Sequence, residues 1–181
     1  MRTQLLVTSV GEDRPGIVAR LTEVFLAHGA NLEESRMAIL GGEFAAIMLV
    51  SLASDQEPGL GAALARLHSE GITVSVKRAA QSKVDRMEGF TSYRIKLSGA
   101  DHEGIVFRVS SYLKDNSINI QAVDTQVLNA PETGLPLFQM TASLLVPPNV
   151  RVSEVRKDLN RIADEESVDI DLHEVASPAA V

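Results

Sequence analysis

The chain has 181 residues and a formal charge of −7, and its length suits one ordinary domain or two small ones. With 45% apolar and 23% charged residues it has enough apolar material for cores and is not disordered by composition. The absence of cysteine excludes disulfides, thiol catalysis and Cys-ligated zinc, and an acidic chain with no Lys/Arg cluster argues against direct contact with nucleic acid, which needs a basic stripe to displace counterions.

Gln4 to Val10 is an apolar, β-prone run and reads as a strand. Gly11-Glu12-Asp13-Arg14-Pro15-Gly16-Ile17-Val18 follows as a tight acidic glycine loop and a helix start. Asp13 is placed to cap that helix, and Pro15 suits its first turn, where a missing N–H costs nothing. Ile17, Val18, Leu21, Val24 and Phe25 recur at helical spacing and predict one apolar stripe. Gly29 stands where a helix ends on glycine. Asn31 to Leu40 is extended, Gly41-Gly42 is a hairpin turn, and Glu43 to Ala53 is the return strand. Asp55 to Pro58 opens a second helix with the stripe Leu60, Leu64 and Leu67, which Gly71 stops. Ile72 to Val76 alternates and closes the unit as a strand. Its longest apolar runs, such as Ala45 to Val50, are far short of a membrane span. Leu5-Leu6-Val7 after Arg2 is too short for a signal peptide, so the expected location is cytoplasmic, with no membrane partner.

Gln81 to Gly89 is polar, breaks the periodicity and reads as a linker. The order then repeats. Phe90 to Leu97 is a strand, and Gly99-Ala100-Asp101-His102-Glu103-Gly104-Ile105-Val106 restates the first loop. Gly11, Asp13, Gly16, Arg20 and Asn31 share one spacing with Gly99, Asp101, Gly104, Arg108 and Asn119. Ile105, Val106, Val109 and Leu113 stripe the helix, and Ile118–Leu128 and Leu137–Val146 pair across the longer loop Asn129–Pro136. Val152, Val155, Leu159 and Ile162 stripe the second helix, Val168–Leu172 is the last strand, and Ser177–Val181 is a loose tail. The expected organisation is a first domain over 1–80, a linker over 81–89, a second domain over 90–176 and the tail 177–181. Each domain is β-α-β-β-α-β, which is the ferredoxin-like α+β sandwich. Its antiparallel sheet carries both helices on one face, with the first and third strands central. Such a sheet commonly pairs edge to edge or face to face, so a homo-oligomer is expected.

The loop that leaves a central strand and enters a helix is the first place to look for function. Backbone N–H groups at a helix start are unpaired and partly positive, and can receive the carboxylate of a small ligand. Glu12 or Asp13 suits a ligand ammonium, Arg14 a carboxylate, and Gly16 lets a ligand approach the backbone. The same residues also have a purely structural reading, with Asp13 as a cap and Pro15-Gly16 shaping the turn. The second loop keeps Asp101, Gly104 and Ile105 but has His102-Glu103 for Arg14-Pro15, so the two sites should not bind alike. Asn31 and Asn119, each after the first helix of its copy, either contact a ligand in the adjoining groove or shape the turn.

No catalytic set, metal site or cofactor motif stands out. His28, His68, His102 and His173 lack metal-ligand spacing. There is no nucleophile elbow, Walker loop or dinucleotide fingerprint. Glu165-Glu166 reads as a solvated face.

At Asp13-Arg14-Pro15-Gly16-Ile17, and again at Asn31-Leu32, the chain resembles tandem ACT domains. Asp101 and Gly104 keep the pattern in the second copy, and His102 and Glu103 depart from it. The resemblance covers nearly the whole chain, with no attached enzyme. It implies a regulatory module that binds a small amino acid at interfaces between units, through Glu12–Ile17 and Asn31 and their counterparts Asp101–Ile105 and Asn119. It further implies a protein partner such as a transcription factor.

Overall fold

The computed structural model describes residues 1–80, 89–129 and 134–175, and its chain divides into two compact units, Met1–Ser82 and Lys83–Val181. Most of the linker read from sequence, the tip of the Asn129–Pro136 loop and the tail lie outside the described residues.

In the first unit, alternation and helical stripes fall where burial needs them. Strand β1 (Arg2–Glu12) buries Leu5, Val7, Ser9 and Gly11, every second residue, as a strand covered on one face must. Helix α1 (Ile17–Ala27) buries Ile17, Leu21, Val24 and Phe25. After β2 (Asn31–Leu40) and β3 (Glu43–Ala53), helix α2 (Glu57–Arg66) carries Pro58 in its first turn and buries Leu60 and Leu64. A 3₁₀ turn then buries Leu67 and leads into β4 (Ile72–Arg78). Both helices and one sheet face share a single core, in which Leu5, Leu21, Met48 and Leu64 are almost fully buried. The sheet order is β2-β3-β1-β4, and every neighbouring pair is antiparallel.

The second unit repeats the plan with β5 (Thr91–Ala100), α3 (Ile105–Asp115), β6 (Asn119–Asn129), β7 (Pro136–Val146), α4 (Val152–Glu166) and β8 (Val168–Glu174). Its order is β6-β7-β5-β8, again antiparallel throughout. Each unit is thus the ferredoxin-like α+β sandwich, with its first and third strands central. Even a bulge recurs, between Leu32 and Glu34 in β2 and between Ile120 and Ala122 in β6. The sheet faces turned away from the helices differ. The first carries Leu6, Val10, Ala45, Ile47 and Leu49, and the second Lys96, Ser98, Gln139, Thr141 and Ser143. Among the described residues no helix is long and apolar enough to cross a membrane.

The helix ends show why glycine recurs. Gly41 and Gly42, with φ of 60° and 85°, form the hairpin turn that needs two positive φ values. Gly29 (φ 61°) follows the C-cap of α1; its N–H bonds the Leu26 carbonyl, and the Ala30 N–H bonds the Phe25 carbonyl. These two bonds are a Schellman motif. In the second unit Ser117 stands at the same place with φ 57°, and Ile118 N–H bonds the Leu113 carbonyl. An L-residue there is strained by roughly 1–2 kcal/mol. Ser117→Gly should therefore raise the stability of the second unit by about 0.5–1 kcal/mol. A urea midpoint that stays put or falls would show that Ser117 is held by something beyond the turn.

Three expectations need correction. Neither Asp13 nor Asp101 caps a helix: the N-caps are Gly16 and Gly104, left-handed at φ 98° and 102°, with no side-chain cap bond. The glycine turn sets the N-cap three residues beyond the aspartate, and Pro15 lies in that turn rather than in the helix. Val18 and Val106 do not join the core stripes, being 42% and 44% exposed. They follow Ile17 and Ile105 by one residue, about 100° around the helix, which carries them off the buried face.

Candidate functional site

The first loop runs from the end of β1 to Gly16, and Glu12 through Gly16 are all exposed while Ile17 is buried. The Asp13 N–H bonds the Gly42 carbonyl at 2.8 Å, tying the loop to the hairpin turn. The first internal bond of α1 runs from Arg20 N–H to the Gly16 carbonyl at 2.8 Å. The N–H groups of the helix's first turn have no intrahelical partner, and no side chain caps them. An exposed, uncapped helix start beside an acidic loop is the donor array that a ligand carboxylate fits.

Arg14 does not stand free in solvent. Its guanidinium donates to the Glu70 carbonyl, at the end of the 3₁₀ turn that precedes β4. Arg20, one turn into α1, grips the Glu70 carboxylate through Nε and Nη2 at 2.9 and 2.7 Å and reaches Glu23 at 2.9 Å through Nη1. Hydrogen bonding from Arg20 holds the Glu70 carboxyl below its ordinary range, and Glu70 in turn raises Arg20. The loop is thus fastened to the junction before the last strand by two arginines acting on one residue.

The second loop is built on the same plan. Asp101 N–H bonds the Pro136 carbonyl at 3.2 Å, and Arg108 N–H bonds the Gly104 carbonyl at 2.9 Å. His102 takes the place of Arg14, its Nε2 lying 2.8 Å from the Glu166 carbonyl. Arg108 takes the place of Arg20, with Nε 3.2 Å from the Glu166 carboxylate. Glu166, read from sequence as a solvated face, is 13% exposed in its side chain and is the anchor of this loop. Asp101, Glu103 and Gly104 remain exposed and Ile105 is buried.

The two asparagines stand apart from the loops. Asn31 and Asn119 are exposed and open β2 and β6. Each follows the C-terminal end of the helix whose N-terminal end carries the loop. Eleven helical residues separate those ends, a length of about 16 Å. A single unit therefore does not bring its own loop and its own Asn onto one small molecule.

Sequence reasoning missed Glu70 and Glu166. They lie in different kinds of element and far in sequence from the arginines they hold. A signal was present, since Arg20 and Arg108 share the repeat spacing. Glu70 and Glu166 each stand two residues before the last strand, ahead of the left-handed Gly71 and Ser167.

Residues 3–77 match the ACT domain family. The glycine cleavage system transcriptional repressor of Escherichia coli K12 is 51% identical over 47 residues, a stretch that is 26% of this chain and 25% of the repressor. The UPF0237 protein MK1213 of Methanopyrus kandleri is 38% identical over 74 residues, covering 41% of this chain and 81% of that one. The crystal structure of an unknown protein from Galdieria sulphuraria has a TM-score of 0.81 at 35% identity, covering 97% of this chain and 100% of that one.

Proposed function

We propose, from the premise that this chain belongs to the ACT-domain family, that it is a non-enzymatic regulatory protein that binds a small amino acid where ACT units meet and so modulates a protein partner. The partner we favour is a transcription regulator of glycine cleavage, which makes glycine the first ligand to try. The likeness to the glycine cleavage repressor supports this, over the quarter of that protein that aligns.

The observation that carries the reading is the uncapped, exposed start of α1 behind Asp13 and Gly16. The backbone amides of Gly16 and Ile17 receive the ligand carboxylate, and Asp13 or Glu12 its ammonium. The separation of loop and asparagine within one unit leaves the loop as the ligand-holding part of that unit. A ligand seated there shifts the assembly only by its different affinity for the two arrangements, and that shift is what a partner would read.

Calorimetry of the full chain against the twenty amino acids tests this directly. Binding of none of them would overturn the sensor and leave a ligand-free interaction module. That second reading has one observation of its own: β2 and β6 are sheet edges whose Ile39 and Val127 are more than half exposed, apolar side chains beside free backbone, the pattern that pairs with other chains.

Asp13→Ala separates the two. Since Asp13 makes no cap, the change should move stability by no more than about 0.5 kcal/mol. In the sensor it weakens amino-acid binding by the loss of an ion pair to the ligand; in the ligand-free module the partner is held as before. A well-folded variant with undiminished amino-acid affinity would remove Asp13 from the site.

A further inference from the structure

The second loop carries a titratable group where the first carries a permanent charge. Arg14 and His102 hold equivalent places before Gly16 and Gly104, and each engages the backbone carbonyl of the residue that fixes its loop, Glu70 or Glu166. In both units the carboxylate of that same glutamate takes an arginine, Arg20 at 2.7 Å and Arg108 at 3.2 Å. The difference lies in the ring. His102 Nε2 is 2.8 Å from the Glu166 carbonyl, and Nδ1 is 3.1 Å from the Glu103 carbonyl. A carbonyl oxygen only accepts hydrogen bonds, so both ring nitrogens must donate, and only the imidazolium has two N–H groups. Neutral imidazole keeps one of the two bonds and sets a lone pair against a carbonyl at the other.

We propose that the two loops are held by equivalent latches of which only the second is released by loss of a proton: Asp101–Ile105 is fixed while His102 is protonated and loosens when it is neutral, whereas Asp13–Ile17 keeps its hold through Arg14.

The charged groups around the ring agree with this. The Glu166 carboxylate lies 3.9 Å from Nδ1, and Asp101 and Glu103 flank His102 in its own loop. Arg108 packs against this cluster from α3, and its charge is answered by Glu166. The carbonyls of Glu166 and Glu103, with the Glu166 and Asp101 charges behind them, raise His102 above its ordinary value of 6.5 against a desolvation effect that lowers it. A histidine raised on folding lends its hold in full below the unfolded value and loses it as pH rises through the folded value. Release therefore falls above the ordinary histidine value. If the loops are the amino-acid sites proposed above, the second site weakens with rising pH and the first does not; the latch itself does not depend on that reading.

The test uses the full chain without ligand, so its failure and that of the amino-acid reading are separable. The His102 ring is followed by NMR across pH, and amide protection of Asp101 and Arg108, whose N–H groups bond the Pro136 and Gly104 carbonyls, is compared with that of Asp13 and Arg20, whose N–H groups bond the Gly42 and Gly16 carbonyls. His102 should titrate above a free histidine, and second-loop protection should fall several-fold through that titration while the first loop holds steady. His102→Arg should keep the second loop protected across the range. His102→Gln, which cannot be charged, should leave it weakly protected at every pH. A His102 that titrates at or below the ordinary value would overturn the proposal, as would second-loop protection that follows the first, or an Arg variant that keeps the pH dependence.

Discussion

Phe25→Ala should lower the stability of the first unit by about 3–5 kcal/mol, the usual cost of removing a buried phenylalanine together with the cavity it leaves. Phe25 is 2% exposed and packs with Leu21, Val24, Met48 and Leu64 in a core that holds no tryptophan and little other aromatic bulk. A domain of this size has only about 5–15 kcal/mol of stability in all, so the variant should be close to unfolding at ambient temperature. Leu26 is the internal control. It is the next residue on the same helix and is 79% exposed, so Leu26→Ala should change stability by no more than about 0.5 kcal/mol. Urea titration of the two variants beside the parent chain reads both. A Phe25 variant that loses under about 1 kcal/mol would mean that the aliphatic neighbours close the cavity, and the helix face assigned to the core would need revision.

That face was legible from sequence because the signal is periodic. Ile17, Leu21, Val24 and Phe25 fall on one side of any 3.6-residue helix, and Leu60 and Leu64 do the same for α2, with Leu67 in the 3₁₀ turn that follows. The β-α-β-β-α-β order followed from such runs and from glycines whose positive φ is visible as a turn, Gly29, Gly41 and Gly42 among them. Legibility stopped where two local rules competed. Asp13 has the chemistry of a cap, but the turn through Pro15 and Gly16 starts the helix after the aspartate, and glycine takes the cap position. Periodicity also placed Val18 and Val106 with the core, because a stripe read along one helix has no edge until the neighbouring elements are in place. Side-chain contacts between distant parts of the chain left only the indirect signal of the repeat spacing. Glu70 looks like any exposed helical glutamate until β4 lies beside β1 and brings it to Arg14 and Arg20.

Comparing the two copies separates what the fold requires from what the site adds. Glycine at the N-cap, arginine one turn later and glutamate before the last strand recur in both units and do the same work. The exchange of Arg14 for His102 keeps the bond to the glutamate carbonyl, adds one to the Glu103 carbonyl and makes the group titratable. The outer sheet faces have diverged further, the central strands of the first unit carrying more apolar side chains there than those of the second. Packing on such a face removes more apolar surface from water in the first unit than in the second, so a partner reading both units would meet two chemically different surfaces.

Gly11→Ala and Gly99→Ala should each destabilise their unit by about 1–3 kcal/mol, Gly11 toward the upper end because its obstacle is backbone whereas that of Gly99 is partly the Val168 side chain. A Cβ on Gly11 would lie 2.6 Å from the Gly71 carbonyl oxygen, and one on Gly99 would lie 2.9 Å from Val168 Cα and 2.5 Å from its Cγ1. Both glycines are where the first strand of a unit runs closest to the start of its last strand, paired with Ile72 and Val168. That approach also brings Glu70 and Glu166 to the loops, so the substitutions should loosen the latches as well as the sheets, and the amide signals of Gly16 and Gly104 should move accordingly. Val168→Ala in the Gly99→Ala background should restore only part of the loss, since it removes Cγ1 and leaves Cα in place. Gly61→Ala provides the contrast. Gly61 lies within α2, and nothing stands within 4 Å of its added Cβ, so alanine there should raise stability by about 0.5–1 kcal/mol through better helix propensity. Parent-like stability of the Gly11 variant would mean that β4 can yield at Gly71, and glycine at position 11 would then have to be explained by the loop it precedes rather than by the strand it touches.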